Sequence, residues 1–185
     1  MSRRGAVWLV ALLGLVLTLS ACGFRPRGAP QYEHLSALQL RGASLNLEHL
    51  VRRALETSGV AVHDAAPLAL TISDENTQRR TVAVDRYGRA AEMELRYSFT
   101  WQLLDADSRQ PLNERRNIAL IRNFIYDADN ATAASDEESS TRDSLYEDAT
   151  WQLLRQLDAT VGRLRAAQPD NWSLDGETRA DRHAN

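Results

Sequence analysis

The chain has 185 residues, and its formal charge of −3 reflects 22 basic residues, all Arg, against 25 acidic ones. A mildly acidic balance of this kind speaks against nucleic acid as the partner. Cys22 is the only cysteine, so an internal disulfide is excluded, and the length suits a single domain.

Arg3 and Arg4 open the chain, and the run from Ala6 to Leu19 holds no charged residue. At about 1.5 Å of helical rise per residue, that run falls well short of a ~30 Å hydrocarbon core. A basic start, a short apolar stretch and small residues at its end make a secretory signal rather than a permanent span. Leu19-Ser20-Ala21-Cys22 matches the bacterial lipobox. Residues 1–21 are therefore expected to be cleaved and Cys22 to be lipidated. A lone thiol in an oxidising compartment is a liability that acylation removes, and two or more acyl chains anchor firmly where one does not. Asp after the lipidated Cys usually means retention in the inner membrane; Gly23 is permissive for the outer membrane. Without Arg3 and Arg4 the mature chain has 20 basic and 25 acidic residues, a formal −5.

Residues 22–35 read as a tether. Its stretch GFRPRGAP holds two Pro and two Gly and cannot be a helix interior. Ala37 to Arg41 reads as a short strand. Ser44 or Asn46 then caps a helix whose Leu47, Leu50, Val51, Ala54 and Leu55 recur at helical spacing, with Gly59 at its left-handed end. Leu68, Leu70 and Ile72 alternate with polar or small residues, and the same even phase resumes at Val82 and Val84 after the polar section Asp74 to Arg80. Arg86-Tyr87-Gly88-Arg89 makes the turn.

The next strand has the longest alternation. Ala91, Met93, Leu95, Tyr97, Phe99, Trp101 and Leu103 share one face, and Glu92, Glu94, Arg96, Ser98, Thr100 and Gln102 the other. That pattern requires a sheet with one core face and one polar face. The expected last strand runs from Leu112 to Tyr126, with Ile118, Leu120, Phe124 and Tyr126 in phase. A second helix is expected to open at Ser135, where Ser135-Asp136-Glu137-Glu138 resembles a capping box. Leu145, Ala149, Leu153, Leu157, Val161 and Leu164 draw one apolar stripe along it. Trp151 falls nearly opposite that stripe, which marks it as a candidate partner contact. Residues 168–185 are polar and aperiodic, and disorder is expected there.

The order β-α-β-β-β-α predicts a two-layer α+β domain over residues 36–167, with two helices on one face of a four-stranded mixed sheet. His34, His49, His63 and His183 lack metal-ligand spacing, and no second Cys joins them. Nucleophile elbows, P-loops and zinc-protease motifs are missing from the sequence. No catalytic constellation emerges, so neither enzyme activity, cofactor nor metal is expected.

Four groups of residues resemble one family, the lipopolysaccharide-assembly lipoprotein family LptE, also called rare lipoprotein B. Cys22-Gly23-Phe24 with Arg27-Gly28 is similar to its C-G-F-x-L-R-G opening, although Pro26 stands where Leu is usual. Arg86-Tyr87-Gly88-Arg89-Ala90-Ala91-Glu92 resembles its R-x-G-x-x-A-E hairpin. Arg122-Asn123-Phe124 leading to Asp136-Glu137-Glu138 resembles the join before its second helix. Leu145-Tyr146-Glu147-Asp148-Ala149 with Gln152-Leu153-Leu154-Arg155-Gln156-Leu157 resembles that helix itself. The resemblance implies two helices on a four-stranded sheet and an outer-membrane lipoprotein on the periplasmic side. It further implies a plug that helps the β-barrel LptD assemble and binds lipopolysaccharide. On that reading Arg79, Arg80, Arg86 and Arg89 are candidate lipopolysaccharide contacts, because guanidinium groups pair with phosphates. Near the start of the second helix, where the family often has a basic residue, this chain has Ser135. The rival reading is a periplasm-facing envelope scaffold or substrate-binding lipoprotein with no barrel partner.

Overall fold

A computed structural model describes residue 32 and residues 34–167; the expected signal peptide, Cys22, most of the tether and the C-terminal tail lie outside the described residues. The elements are β1 (Ala37–Arg41), α1 (Leu45–Thr57), β2 (Ala61–Val62), β3 (Leu68–Val84), β4 (Ala90–Asp105), β5 (Arg116–Ile125) and α2 (Ala131–Ala167). They form one mixed sheet in the order β2-β1-β3-β4-β5. β1 is parallel to β2 and β3, and the β3-β4-β5 meander is antiparallel. The sheet thus has five strands rather than the expected four. The extra one is only Ala61–Val62, too short to show alternation, and it exists because α1 returns the chain alongside Ala37 and Leu38.

α1 begins as its sequence dictates. Ser44 is the N-cap and its hydroxyl accepts from Leu47 N–H. Gly59, at φ 82°, turns the chain out of the helix while Val60 N–H closes onto Leu55 O at 2.9 Å. Gly42 at φ 79° makes the turn between β1 and α1, and a Cβ there would meet Ile72 O at 2.3 Å. Only glycine fits such an approach.

One core lies between the sheet and both helices. Leu47, Val51 and Leu55 of α1 meet Leu145, Ala149, Leu153, Leu157 and Val161 of α2 and the odd residues of β4. Tyr97, Phe99 and Trp101 are fully buried on this face, as the alternation requires. Burying each contributes roughly 2–3 kcal/mol. The polar ends are satisfied as well. Trp101 Nε1 donates to Gln156 Oε1 of α2 at 3.2 Å, and Tyr97 packs edge-on against Tyr146, with centroids 4.4 Å apart.

β3 departs from the expected phase. It runs unbroken through the polar section, but Asp74 takes φ 55° and the register slips between Ser73 and Asn76. Ile72 opposes Trp101 before the slip; afterwards Thr77 opposes Tyr97 and Arg79 opposes Leu95. The extra residue hands the helix-facing side of β3 from even to odd positions. Val82 and Val84, expected on the core phase, are therefore exposed. Glu75, at the bulge, accepts from Tyr97 OH at 2.8 Å, Ser44 N–H at 2.9 Å and Ser44 Oγ at 2.7 Å. It ties the N-terminus of α1 to the aromatic row of β4.

Two boundaries also move. β5 starts at Arg116, not Leu112, because the Asn113 side chain takes the Leu103 N–H at 2.7 Å and ends the ladder there. α2 starts at Ala131, four residues before Ser135, with Asn130 Oδ1 accepting from Ala133 N–H. The Ser135 motif therefore sits inside the helix.

Candidate functional site

The β3–β4 hairpin is built around Asp85. Its Oδ1 accepts from Tyr87 N–H at 2.8 Å and Arg89 N–H at 3.0 Å, and its Oδ2 accepts from Arg89 Nε at 2.9 Å. These bonds, the Arg89 backbone first, hold the Asp85 carboxyl below its ordinary range. The other end of the Arg89 guanidinium reaches Asp129, at 2.6 and 3.2 Å, in the turn before α2. Bonds to Asp129 and then Asp85 fix its charge firmly. Arg89 is thus a strut between the hairpin tip and the start of α2. Arg86 is placed differently. Its guanidinium lies 4.8 Å from the Tyr87 ring centroid, and among the described residues it makes no ion pair. Tyr87 itself is 68% exposed.

Arg79 and Arg80, adjacent in a strand, point to opposite faces. Arg79 faces α2 and pairs with Glu138 at 2.6 Å; Arg142 pairs with the same carboxylate. This trio lines a cleft of about 450 Å³ together with Tyr126, Ser135 and Ser139. Arg80 lies on the helix-free face and holds Glu94 bidentately, at 2.7 and 2.9 Å. The bond to Arg80 is the main reason the Glu94 carboxyl is held below its ordinary range. The four candidate arginines are thus distributed over a tip and two faces, and three of them are engaged by carboxylates. Adjacency alone separates Arg79 from Arg80; the slip between Ser73 and Asn76 decides that Arg79, and not Arg80, faces α2.

Trp151 is 39% exposed on α2, whereas Thr150, Leu153 and Leu154 beside it are buried. It lies off the core, where the helical spacing put it. Sequence reasoning missed Glu75, because an acid in a polar strand segment gives no local signal of long-range bonding. Among the described residues no cluster of His, Cys, Asp and Glu is arranged to hold a metal, and no helix is long and apolar enough to cross a membrane. Cys22 lies outside the described residues.

Comparison with curated proteins gives no match. Among solved structures, the chain is similar to rare lipoprotein B from Shewanella oneidensis, at 23% identity and a TM-score of 0.62 over 70% of this chain and 99% of that one. It is also similar to an uncharacterized lipoprotein B from Nitrosomonas europaea, at 27% identity and a TM-score of 0.61 over 79% and 97%. A minor lipoprotein from Acinetobacter baumannii shares the fold at 21% identity, with a TM-score of 0.57 over 70% and 94%. The family model described as "LptE: Lipopolysaccharide-assembly" matches residues 35–157, which is most of the folded domain. The chain belongs to the LptE lipopolysaccharide-assembly family.

Proposed function

We propose that this protein is a lipid-anchored plug of the outer membrane, facing the periplasm. It sits in the lumen of the β-barrel LptD, helps that barrel assemble, and binds lipopolysaccharide on its way to the outer leaflet. The family match over residues 35–157 carries this reading. The lipobox at Cys22 supports the anchor, since acylation would hold the domain at the membrane surface. Trp151, exposed on α2, supports a contact with the barrel. At the hairpin tip, Arg86 is the best candidate for a phosphate of the glycolipid, because no carboxylate among the described residues competes for it. Arg79, Arg80 and Arg89 are the secondary candidates, each of which would have to exchange a carboxylate for a phosphate.

Binding of purified lipopolysaccharide to wild type and to the Arg86→Asp, Arg89→Asp double variant tests the reading. The variant is expected to bind at least about tenfold more weakly, the loss of one or two charge-assisted bonds. Binding equal to wild type refutes the tip as the site. Mass spectrometry of the mature N-terminus should find an acylated Cys22.

A further inference from the structure

The free edges of this sheet are not alike. β2 ends one side with two residues. The part of β3 beyond β1 is interrupted by three register shifts and carries Asp74, Glu75, Arg79 and Arg80. Short strands, bulges and charges are the devices that keep another strand from adding to an edge. β5 has none of them along its outward row. Its register with β4 runs from Arg116 to Ile125 without a shift. Tyr126 donates its N–H to Ala91 O at 3.0 Å, which sets the phase of the ladder. Even-numbered residues of β5 bond to β4; Asn117, Ala119, Ile121, Asn123 and Ile125 turn their N–H and C=O groups away from the sheet. None of these five side chains is charged, and Ile121 and Ile125 are 46% and 78% exposed. Among the described residues, no hydrogen bond covers their outward main-chain groups.

From this we infer that β5 receives one extended segment of the barrel partner from outside its closed wall, with uncharged, apolar side chains on the face shared by Ala119, Ile121 and Ile125. The inference rests on the barrel reading above and names the segment chemistry that reading requires. Main-chain bonds supply the affinity and the isoleucines the register, as in other strand additions. A second copy of this chain is the less suitable occupant. α2 packs on β5, and its first half is rich in acids such as Asp136, Glu137, Asp143 and Glu147. Pairing β5 with itself would bring two such helices together, and like charge opposes that.

The test uses the full lipidated chain co-expressed with the barrel and recovered from detergent-solubilised outer membranes. If wild type brings down no barrel, the barrel reading fails and this inference with it. Given capture by wild type, Ile121→Pro removes an outward N–H without removing a bond to β4. Ile121→Lys keeps that N–H and adds an edge charge. Both are expected to recover about tenfold less barrel. Should the proline variant lose its cooperative melting transition, the lysine variant decides. A photo-crosslinker in place of Ala119 is expected to attach to an extended segment of the barrel. Wild-type recovery by a folded Ile121 variant, or an adduct of twice the chain's own mass, overturns the inference while leaving the barrel reading intact.

Discussion

Replacing Glu75 with Ala probes the device that joins α1 to the sheet. The carboxylate accepts bonds from Tyr97 OH, Ser44 N–H and Ser44 Oγ. The two groups on Ser44 are exposed, so water replaces most of what they lose. Tyr97 is different: it is 1% exposed, and its hydroxyl would be left without its acceptor. A buried polar group stripped of its partner costs roughly 1–3 kcal/mol, and weakening the helix cap adds a few tenths to ~1 kcal/mol. The expected loss is therefore about 2–3 kcal/mol. In a domain of this size that amounts to several degrees in Tm. Urea denaturation of the signal-free domain measures it. The same substitution in a Tyr97→Phe background isolates the cause, because the phenyl ring demands no acceptor. There Glu75→Ala should cost less than about 1 kcal/mol, and the difference between backgrounds is the coupling. Equal cost in both backgrounds, or a cost below ~0.5 kcal/mol in the wild-type background, refutes the argument.

Trp101→Ala removes a fully buried indole and its bond to Gln156, and should cost about 3–5 kcal/mol, read from the urea midpoint at unchanged slope. Trp151→Glu should leave the free domain's melting curve nearly unchanged while weakening barrel capture by ~2 kcal/mol; loss of stability with capture intact would make Trp151 a core residue. Stability should also fall in alkali. Burial, and then the bond to Glu75, push the Tyr97 phenol well above its ordinary value; burial, and then the charge of Asp158, push Tyr32 up to about 12. The folded state holds both phenols neutral, so their contribution is complete below about pH 10 and is lost as pH rises through the shifted values. Urea midpoints from pH 8 to 12 should decline less steeply in a Tyr32→Phe, Tyr97→Phe variant; an identical decline would contradict the assignment.

Periodicity alone determined what is local in this protein. Seven alternating residues from Ala91 to Leu103 set the core face of β4, and the Leu145–Val161 stripe set that of α2. The α+β class follows, because an apolar stripe and an apolar sheet face must cover each other. The Ser44 cap and the Gly59 exit were legible for the same reason, since each acts within a turn of itself. The buried Thr150 and Thr160 were not, because their hydroxyls are satisfied by Tyr146 O and Gln156 O only once the helix exists. Pairing between distant segments was likewise decided by the tertiary structure. One inserted residue at the Glu75 bulge reversed the faces of β3, exposed Val82 and Val84, and put Arg79 rather than Arg80 on the side of α2. The two-residue β2, and the choice of β5 as the unguarded edge, likewise depend on which strands lie side by side. Side-chain alternation has a period of two and is blind to a slip of one residue; only the hydrogen-bonded partner strand resolves it.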